Sequence, residues 1–419
     1  MSALAREVRL GKAAGDDLSV HAFMESHFGT QFADIFAVAL MRGIYAGDAH
    51  TLSARSTLGA MVEMADRHGS LLSAYVAEKT VREPVPMIAA ADRLDLASVR
   101  PVSFQSGMHA LVAALDAFLE KADSVEVRRG TRVAALVEER NGVAVQLGSG
   151  NERSNDGGSF QAVICCVPAP EASSLLSGVA PDAADAAAQI QCLSVGVVNL
   201  VYAAGKLNRG NLTGFGMLTG SQSDAGPILG VVFDSDVFPE QDAGMDVERF
   251  TVMLGGRDHQ DWLEAVPETE VAARALAEFE RVVLGDGGGT AATDLPAPLH
   301  VEAVVWRRAI PQYDVGHARL VARVKEAVNG TRTGVLGNSF HGVGINDCVA
   351  AAAAYVDRMT MSDDGGDVIL PRGQGAFDRV AVERAPRAGG ILLAAALRRW
   401  AEIVLAILVC LAVVAWWWM

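Results

Sequence analysis

The sequence predicts a mixed α+β / α/β protein of two lobes, and three observations predict it. Residues 335–348 read V-L-G-N-S-F-H-G-V-G-I-N-D-C and run into five alanines at 350–354. That is a short buried strand, a glycine turn and an Ala-rich helix, with Asn346 expected as N-cap and Asp347 in the first turn. The middle of the chain is rich in β-type runs, notably 195–202, 228–233 and 250–254. Near the start, Val20, Phe23, Met24, His27 and Phe28 fall at helical spacing behind Ser19 as N-cap.

In chain order, residues 19–78 read as helices, interrupted at 42–48 by R-G-I-Y-A-G-D with its two glycines. Residues 80–98 form a proline-containing connection, and 104–119 a second helical region entered through Gly107. Short strands are expected at 125–127 and 133–136, and a hairpin of 143–147 with 160–167 around a polar loop. The glycine-rich stretch 285–298 reads as a connector without a phosphate role. Strands at 301–306 and 334–336 then lead into the closing helix. No internal repeat is visible.

The chain has 419 residues, enough for two or three lobes around a large core. Its formal net charge of −15 excludes nucleic acid as a general partner. Cys165, Cys166, Cys192, Cys348 and Cys410 are odd in number with no C-x-x-C pair, so they read as reduced thiols rather than a disulfide framework or zinc site. Arg6, Arg9 and Lys12 precede no apolar stretch, which argues against a secretory signal. At the other end, 403–419 carries no charge and is bracketed by Trp400 and Trp416, Trp417 and Trp418, with Arg398 and Arg399 at the entry. A bilayer span takes about 20 residues, and interfacial tryptophans and arginines are its usual flanks. A membrane-spanning tail behind the polar linker 361–390 is expected.

A helix N-terminus reached through glycines presents backbone N–H groups and the positive end of the helix dipole. A flavin, which gathers negative charge on reduction, benefits from such a site. By itself the pattern also fits an ordinary strand-turn-helix. Five further stretches accompany it: G-I-Y-A-G-D (43–48), G-F-G-M-L (214–218), F-P-E-Q-D (238–242), V-M-L-G-G (252–256) and R-A-I-P-Q-Y-x-V-G-H (308–317). In this order, and over nearly all of 19–359, the set closely resembles the oxygen-dependent protoporphyrinogen oxidases, FAD enzymes of haem and chlorophyll synthesis.

The resemblance implies an amine oxidase-like two-lobed fold with an incomplete Rossmann-type FAD domain. Residues 1–100 would be a helical membrane-associating lobe, 101–170 and 301–360 the FAD domain, 171–300 the substrate domain, and 391–419 the transmembrane tail. Val133 would contact the adenine side of FAD. Asn338, Val343, Gly344 and Ile345 would lie along the flavin, with Gly344 at a point where a side chain collides with the ring or forces a strained backbone. Phe215, Gly216, Leu218 and Met253 would surround the tetrapyrrole, a large apolar macrocycle suited to aromatic, aliphatic and thioether burial. Gly216 would let backbone come close to the ring. No side chain need act as acid or base, no metal is required, and Tyr313, His317 and His341 read as packing and hydrogen-bonding residues.

The implied reaction is three two-electron oxidations of protoporphyrinogen IX to protoporphyrin IX, with oxygen as acceptor and peroxide as product. The partners would be protoporphyrinogen IX, oxygen, a lipid membrane and, as one option, a second copy of the chain. The place would be an organelle membrane, the mitochondrial inner membrane first and a plastid second. Two alternatives stay open: another amine oxidase or desaturase-type flavoprotein, and a catalytically inactive membrane-anchored fragment. The family's opening G-x-G-x-x-G is not found, since H-G-V-G-I-N lacks the third glycine. A segment whose arginine holds a substrate propionate also has no counterpart before Ser19. The chain alone is therefore expected to hold FAD poorly.

Overall fold

Apolar residues in three sequence-distant regions condense into three cores. A computed structural model describes residues 17–74, 103–149, 152–210, 212–220, 226–283, 296–361 and 368–370. The linker and apolar tail expected at 361–419 lie almost wholly outside these residues, as do the proline-containing connection at 80–98 and most of the glycine-rich connector. Among the described residues no helix is long and apolar enough to cross a membrane.

The first core belongs to the N-terminal helices. Helix α1 (Val20–Phe28) starts where the Ser19 hydroxyl accepts the Ala22 N–H at 3.2 Å, the expected cap. Its Val20, Phe23 and Met24 pack against α2 (Val38–Tyr45) and α3 (Gly59–His68), and against Tyr313 from far along the chain. Ala46 ends α2 in a left-handed conformation, φ 51°.

The second core is a five-stranded sheet. Strands β6 (Cys192–Ala203), β7 (Gly216–Leu218), β8 (Ile228–Val232), β9 (Val247–Gly255) and β10 (His300–Pro311) lie in the order β10-β6-β9-β8-β7, all neighbours antiparallel. Period-2 alternation buries Val198, Leu200, Phe250, Val252 and Leu254 on one face. A 16-residue helix (Glu268–Val283) covers that face with Val271, Ala275 and Phe279, and Phe279 stacks on Tyr202 at 5.8 Å. The opposite face is the one that matters below.

The third core gathers β1 (Val133–Glu139), β2 (Gly142–Ser149), the helices Ala169–Leu176 and Pro181–Ala188, and Val321, Val324 and Val328 of the helix His317–Val328. The short β3 (Glu152–Ser154) and β4 (Ser159–Phe160) pair with β2. Strand β5 (Val163–Cys165) runs parallel to β11 (Thr333–Val335), which leads through the turn 337–344 into the closing helix Ile345–Val356.

Three local expectations are corrected. Residues 125–127 form no strand; they are exposed and have no pairing neighbour. The expected hairpin of 143–147 with 160–167 forms only where Val143 faces Phe160; β2's longer partner is β1, through a two-residue connection at Arg140 and Asn141, while 163–165 leaves to pair with β11, because that parallel partner buries Cys165 and Val335 together. The closing helix is capped by Gly344, whose carbonyl accepts the Cys348 N–H at 3.1 Å, so Asn346 lies inside the first turn. The helix expected at 104–119 forms over His109–Glu120, yet Val112, Leu115 and Phe118 on it are exposed.

Candidate active site

Segments from three parts of the chain meet at the C-terminal end of α2. The Ala46 carbonyl, presented by the left-handed turn, accepts the Arg257 N–H at 2.9 Å. Gly256 permits that approach: a Cβ there would stand 2.6 Å from the same oxygen, and its φ is +79°. Gln312, 2% exposed, donates its side-chain amide to the Tyr45 carbonyl at 2.8 Å. Its amide oxygen lies where a Cβ on Gly47 would come within 2.3 Å. The Arg257 Nη2 donates to both carboxylate oxygens of Asp314, at 2.8 and 2.9 Å, which ties in the third segment. The motifs G-I-Y-A-G-D, M-L-G-G-R and I-P-Q-Y-D are thus one tertiary knot.

Tyr313 carries the knot into the glycine turn. Its hydroxyl donates to the Asn338 carbonyl and accepts the Gly342 N–H at 2.9 Å, bridging both ends of the one-turn helix Asn338–His341. Its ring stacks on His317 at 4.0 Å and lies 5.9 Å from Tyr45. Burial pushes the Tyr313 phenol up, so it stays protonated, and pushes the His317 imidazole down to about 4. Asn338 in turn donates its side-chain amide to the Ala309 carbonyl at 3.2 Å. That carbonyl sits in a β-bulge of β10 between Trp306 and Ile310, where Arg308 has φ 47° and donates its N–H to the buried Ser194 hydroxyl at 2.9 Å.

The structure brings Asn338, Val343, Gly344 and Ile345 together on one turn. Val343 packs half-buried against the helical core, and Ile345 opens the closing helix 53% exposed. Gly344 has an ordinary φ of −75°, and a Cβ there would meet Asp347 Oδ2 at 3.2 Å. The backbone demand expected at Gly344 falls on Gly342 instead: its φ is +122°, and a Cβ would lie 2.5 Å from the Asp347 carboxylate. Val133 stands apart, half-buried at the start of β1 among the third core's side chains.

Met253 and Leu218 lie in one cross-strand row on the sheet face opposite the long helix, a face that α2 meets at β7 and β8. Register places Val304 opposite Val197, Val197 opposite Met253, Met253 opposite Gly230, and Gly230 opposite Leu218. Directly opposite residues share a face, so the row runs the width of the sheet with a glycine gap between Met253 and Leu218. Met253 and Val197 also pack with Ile310 and Ala46, which joins the row to the knot. Phe215 is 61% exposed at the sheet's edge. Gly216, φ +153°, is required by its own neighbour strand, since a Cβ would stand 2.2 Å from the Val231 carbonyl. Ala46, Gly230, Gln312 and Ile310 were missed as site residues. Gln312 and Ala46 lie inside motifs already singled out, and two uncharged residues there give no chemical signal of their own.

The geometry fits the ring end of a flavin. A bend at 343–344 leads to an exposed helix N-terminus, flanked by half-buried Val343 and by Asn338, beside an apolar sheet face. Among the described residues there is no glycine-rich strand-to-helix turn for a pyrophosphate, and no group of three or more His, Cys, Asp or Glu able to hold a metal. A family model described as flavin containing amine oxidoreductase matches residues 3–360. Bovine protoporphyrinogen oxidase (Bos taurus) is 30% identical over 372 residues, covering 84% of this chain and 71% of the bovine protein. The human enzyme is 31% identical over 354 residues, covering 82% of this chain and 69% of its own.

The chain belongs to the flavin containing amine oxidoreductase family, among its protoporphyrinogen oxidases. Solved structures agree on the fold. A crystal structure from Exiguobacterium sp. 255-15, provisionally named a protoporphyrinogen oxidase, has a TM-score of 0.64 at 18% identity, covering 85% of this chain and 70% of that one. A putrescine oxidase has a TM-score of 0.52 at 16% identity, covering 84% and 73%. The family fold is thus an amine oxidase-like FAD-binding α+β fold, and the knot and glycine turn are its local form in this chain.

Two predictions follow from this geometry. Gly342→Ala is expected to cost about 1–3 kcal/mol, the scale of a non-glycine residue held in a sparsely populated conformation, whereas Gly344→Ala stays within about 0.5 kcal/mol; urea midpoints of the purified proteins check both. The second concerns pH. His317 is neutral in the fold down to about pH 4, but an unfolded histidine takes up a proton near its ordinary value of 6.5. The unfolded chain therefore binds more protons in that window, and this histidine's share of stability, complete above pH 6.5, is lost as pH falls toward 4. His317→Gln is expected to lower stability at pH 7 and to flatten its decline between pH 6.5 and 4, read from denaturation midpoints across that range.

Proposed function

We propose that this protein oxidises protoporphyrinogen IX to protoporphyrin IX with bound FAD and oxygen as final acceptor. The observation that supports this reading best is the continuity of the sheet face opposite the long helix with the glycine turn. An apolar row through Val304, Val197, Met253 and Leu218 runs beside Ile310 to the bulge carbonyl that Asn338 holds. A porphyrinogen is a broad, largely apolar disc, and such a row offers burial at about 25 cal/mol per Å² without directional demands.

When bound, FAD supplies the hydride acceptor, so the hard chemistry is the cofactor's. The chain's own residues hold the reactants. Asn338, Val343, Gly344 and Ile345 would line the flavin ring, and the N–H groups opening the helix Ile345–Val356 would favour negative charge along its edge. Tyr313 keeps that turn rigid by serving both its ends. Met253, Leu218 and Phe215 would cover the macrocycle and exclude water, and the adaptable Met253 thioether would follow its puckered rings. Val133 would touch the adenine end. Residues 101–170 and 301–360 would form the FAD domain, 171–300 the substrate domain and 1–100 the helical lobe facing a membrane. The apolar tail 391–419 would tether the protein to an organelle membrane, mitochondrial or plastid, and two copies would pair there.

The decisive experiment supplies the purified protein with FAD, then protoporphyrinogen IX in air. Porphyrin fluorescence and hydrogen peroxide are expected to rise together, and Phe215→Ala to raise KM while leaving flavin content unchanged. Oxidation of amines without porphyrin formation would overturn the reading. For the tail, deleting residues 400–419 is expected to convert a carbonate-resistant membrane protein into an extractable one; full-length protein already released by carbonate would count against the tether.

A further inference from the structure

Leu218 is seated in a gap left by two glycines from different lobes. A Cβ on Gly43 would lie 2.4 Å from Leu218 Cδ2 and 3.2 Å from Cδ1, and one on Gly230 would lie 3.1 Å from Cδ2. Gly43 sits in the last turn of α2, and Gly230 in the middle of β8. Gly43 is not among the residues with positive φ, so no conformational demand explains a glycine there. Glycine is a poor helix residue beside alanine. The approach to Leu218 is the physical reason that remains.

The neighbouring residue holds the helix in that approach. Arg42, 3% exposed, donates from Nη2 to the Ile228 carbonyl of β8 at 3.2 Å and pairs through Nη1 with Asp258 at 3.3 Å. A buried guanidinium with these partners cannot swing away without leaving an uncompensated charge. Arg42 therefore fixes the distance between helix and sheet, and Gly43 makes that distance tolerable. Leu218 keeps 44% of its surface open, so its inner side is gripped while its outer side stays free, in the same cross-strand row as Met253.

We propose that Gly43 and Gly230 form a notch that fixes the Leu218 side chain, and that Gly43 is thereby a positioning residue setting how the macrocycle lies on the sheet. This rests on the proposed function, in which Leu218 faces the substrate. A methyl group on Gly43 would have to push Leu218 outward, into the volume that the substrate would use. Gly230 is the poorer position to test, because a Cβ there would also meet the Met217 carbonyl at 2.7 Å.

The test is a double-mutant cycle of Gly43→Ala and Leu218→Ala in the full chain, kept in excess free FAD. Two readouts are taken: Tm without substrate, and KM and kcat for protoporphyrinogen IX. Gly43→Ala alone is expected to lower Tm and to raise KM by about tenfold, the scale of one misplaced methyl in an apolar pocket, with kcat little changed. In the Leu218→Ala background it is expected to raise Tm and to change KM by no more than about twofold, the helix preference of alanine being common to both arms. Additive Tm effects would overturn the notch. Coupled Tm effects with a KM that responds to Leu218→Ala but not to Gly43→Ala would overturn the positioning role. If Leu218→Ala itself leaves KM unchanged, the substrate reading of this face fails, while the Tm cycle still decides the notch.

Discussion

The bridge made by the Tyr313 hydroxyl is the constraint on which the site depends. One oxygen donates to the Asn338 carbonyl and accepts the Gly342 N–H, so the two ends of a single helical turn are held by one buried atom. Leaving such groups unpaired costs about 1–3 kcal/mol each, and no water-facing route is open to Tyr313, which is 3% exposed. Because the same residue contributes its ring to the helical core and its carbonyl to the Ser53 N–H at 2.8 Å, the turn's geometry is tied to the packing of the N-terminal helices. Gln312, one residue earlier, does the same for the end of α2. Two adjacent side chains thus connect the glycine turn, a helical lobe and the sheet.

The bulge in β10 shows how the sheet is made to serve that turn. The Ala309 carbonyl lies within β10, an edge strand whose one neighbour in the sheet is β6. The register shift between Trp306 and Ile310, with Arg308 in a left-handed conformation, frees it to accept the Asn338 amide. Ser194 makes this affordable: its buried hydroxyl takes the displaced Arg308 N–H, while Glu264 and Gln260 satisfy the hydroxyl in turn. The bulge is therefore a supported feature of the fold rather than a defect in pairing.

Much of this was legible in the sequence, for reasons that differ by element. Helix α1 and the β6 and β9 strands were readable because their apolar spacing is enforced by one buried face. The strand-turn-helix at the end was readable because glycines and alanines mark it, yet its details were not. Gly342 and Gly344 look alike in sequence, and only the backbone course decides that the first needs a left-handed conformation and the second does not. The 163–165 strand was mistaken for a hairpin arm, since a short apolar run carries no information on whether its partner is near or, as here, at 333–335. The shared row of Met253 and Leu218 follows from register, which a single sequence fixes only loosely. What joins the motifs, the contacts of Gln312, Arg257 and Ala46, lies between segments and leaves no periodic trace in any one of them.

The knot at Ala46 also has a consequence in time. Its closing contacts are long in sequence: 267 residues separate Gln312 from Tyr45, and 216 separate Arg42 from Asp258. Each such closure costs chain entropy before it returns any contact energy, which makes topologies of this kind slow to fold. During synthesis the helical lobe emerges before the other described parts, but Tyr313 and Gln312 are missing from it until most of the described chain has left the ribosome. The lobe's core must therefore wait with an unfilled place, and the glycine turn at 337–344 finds its anchor later still. A chain interrupted before Asn338 would keep the sheet core whole, yet lack the turn that Tyr313 holds and the Phe340 that completes the third core.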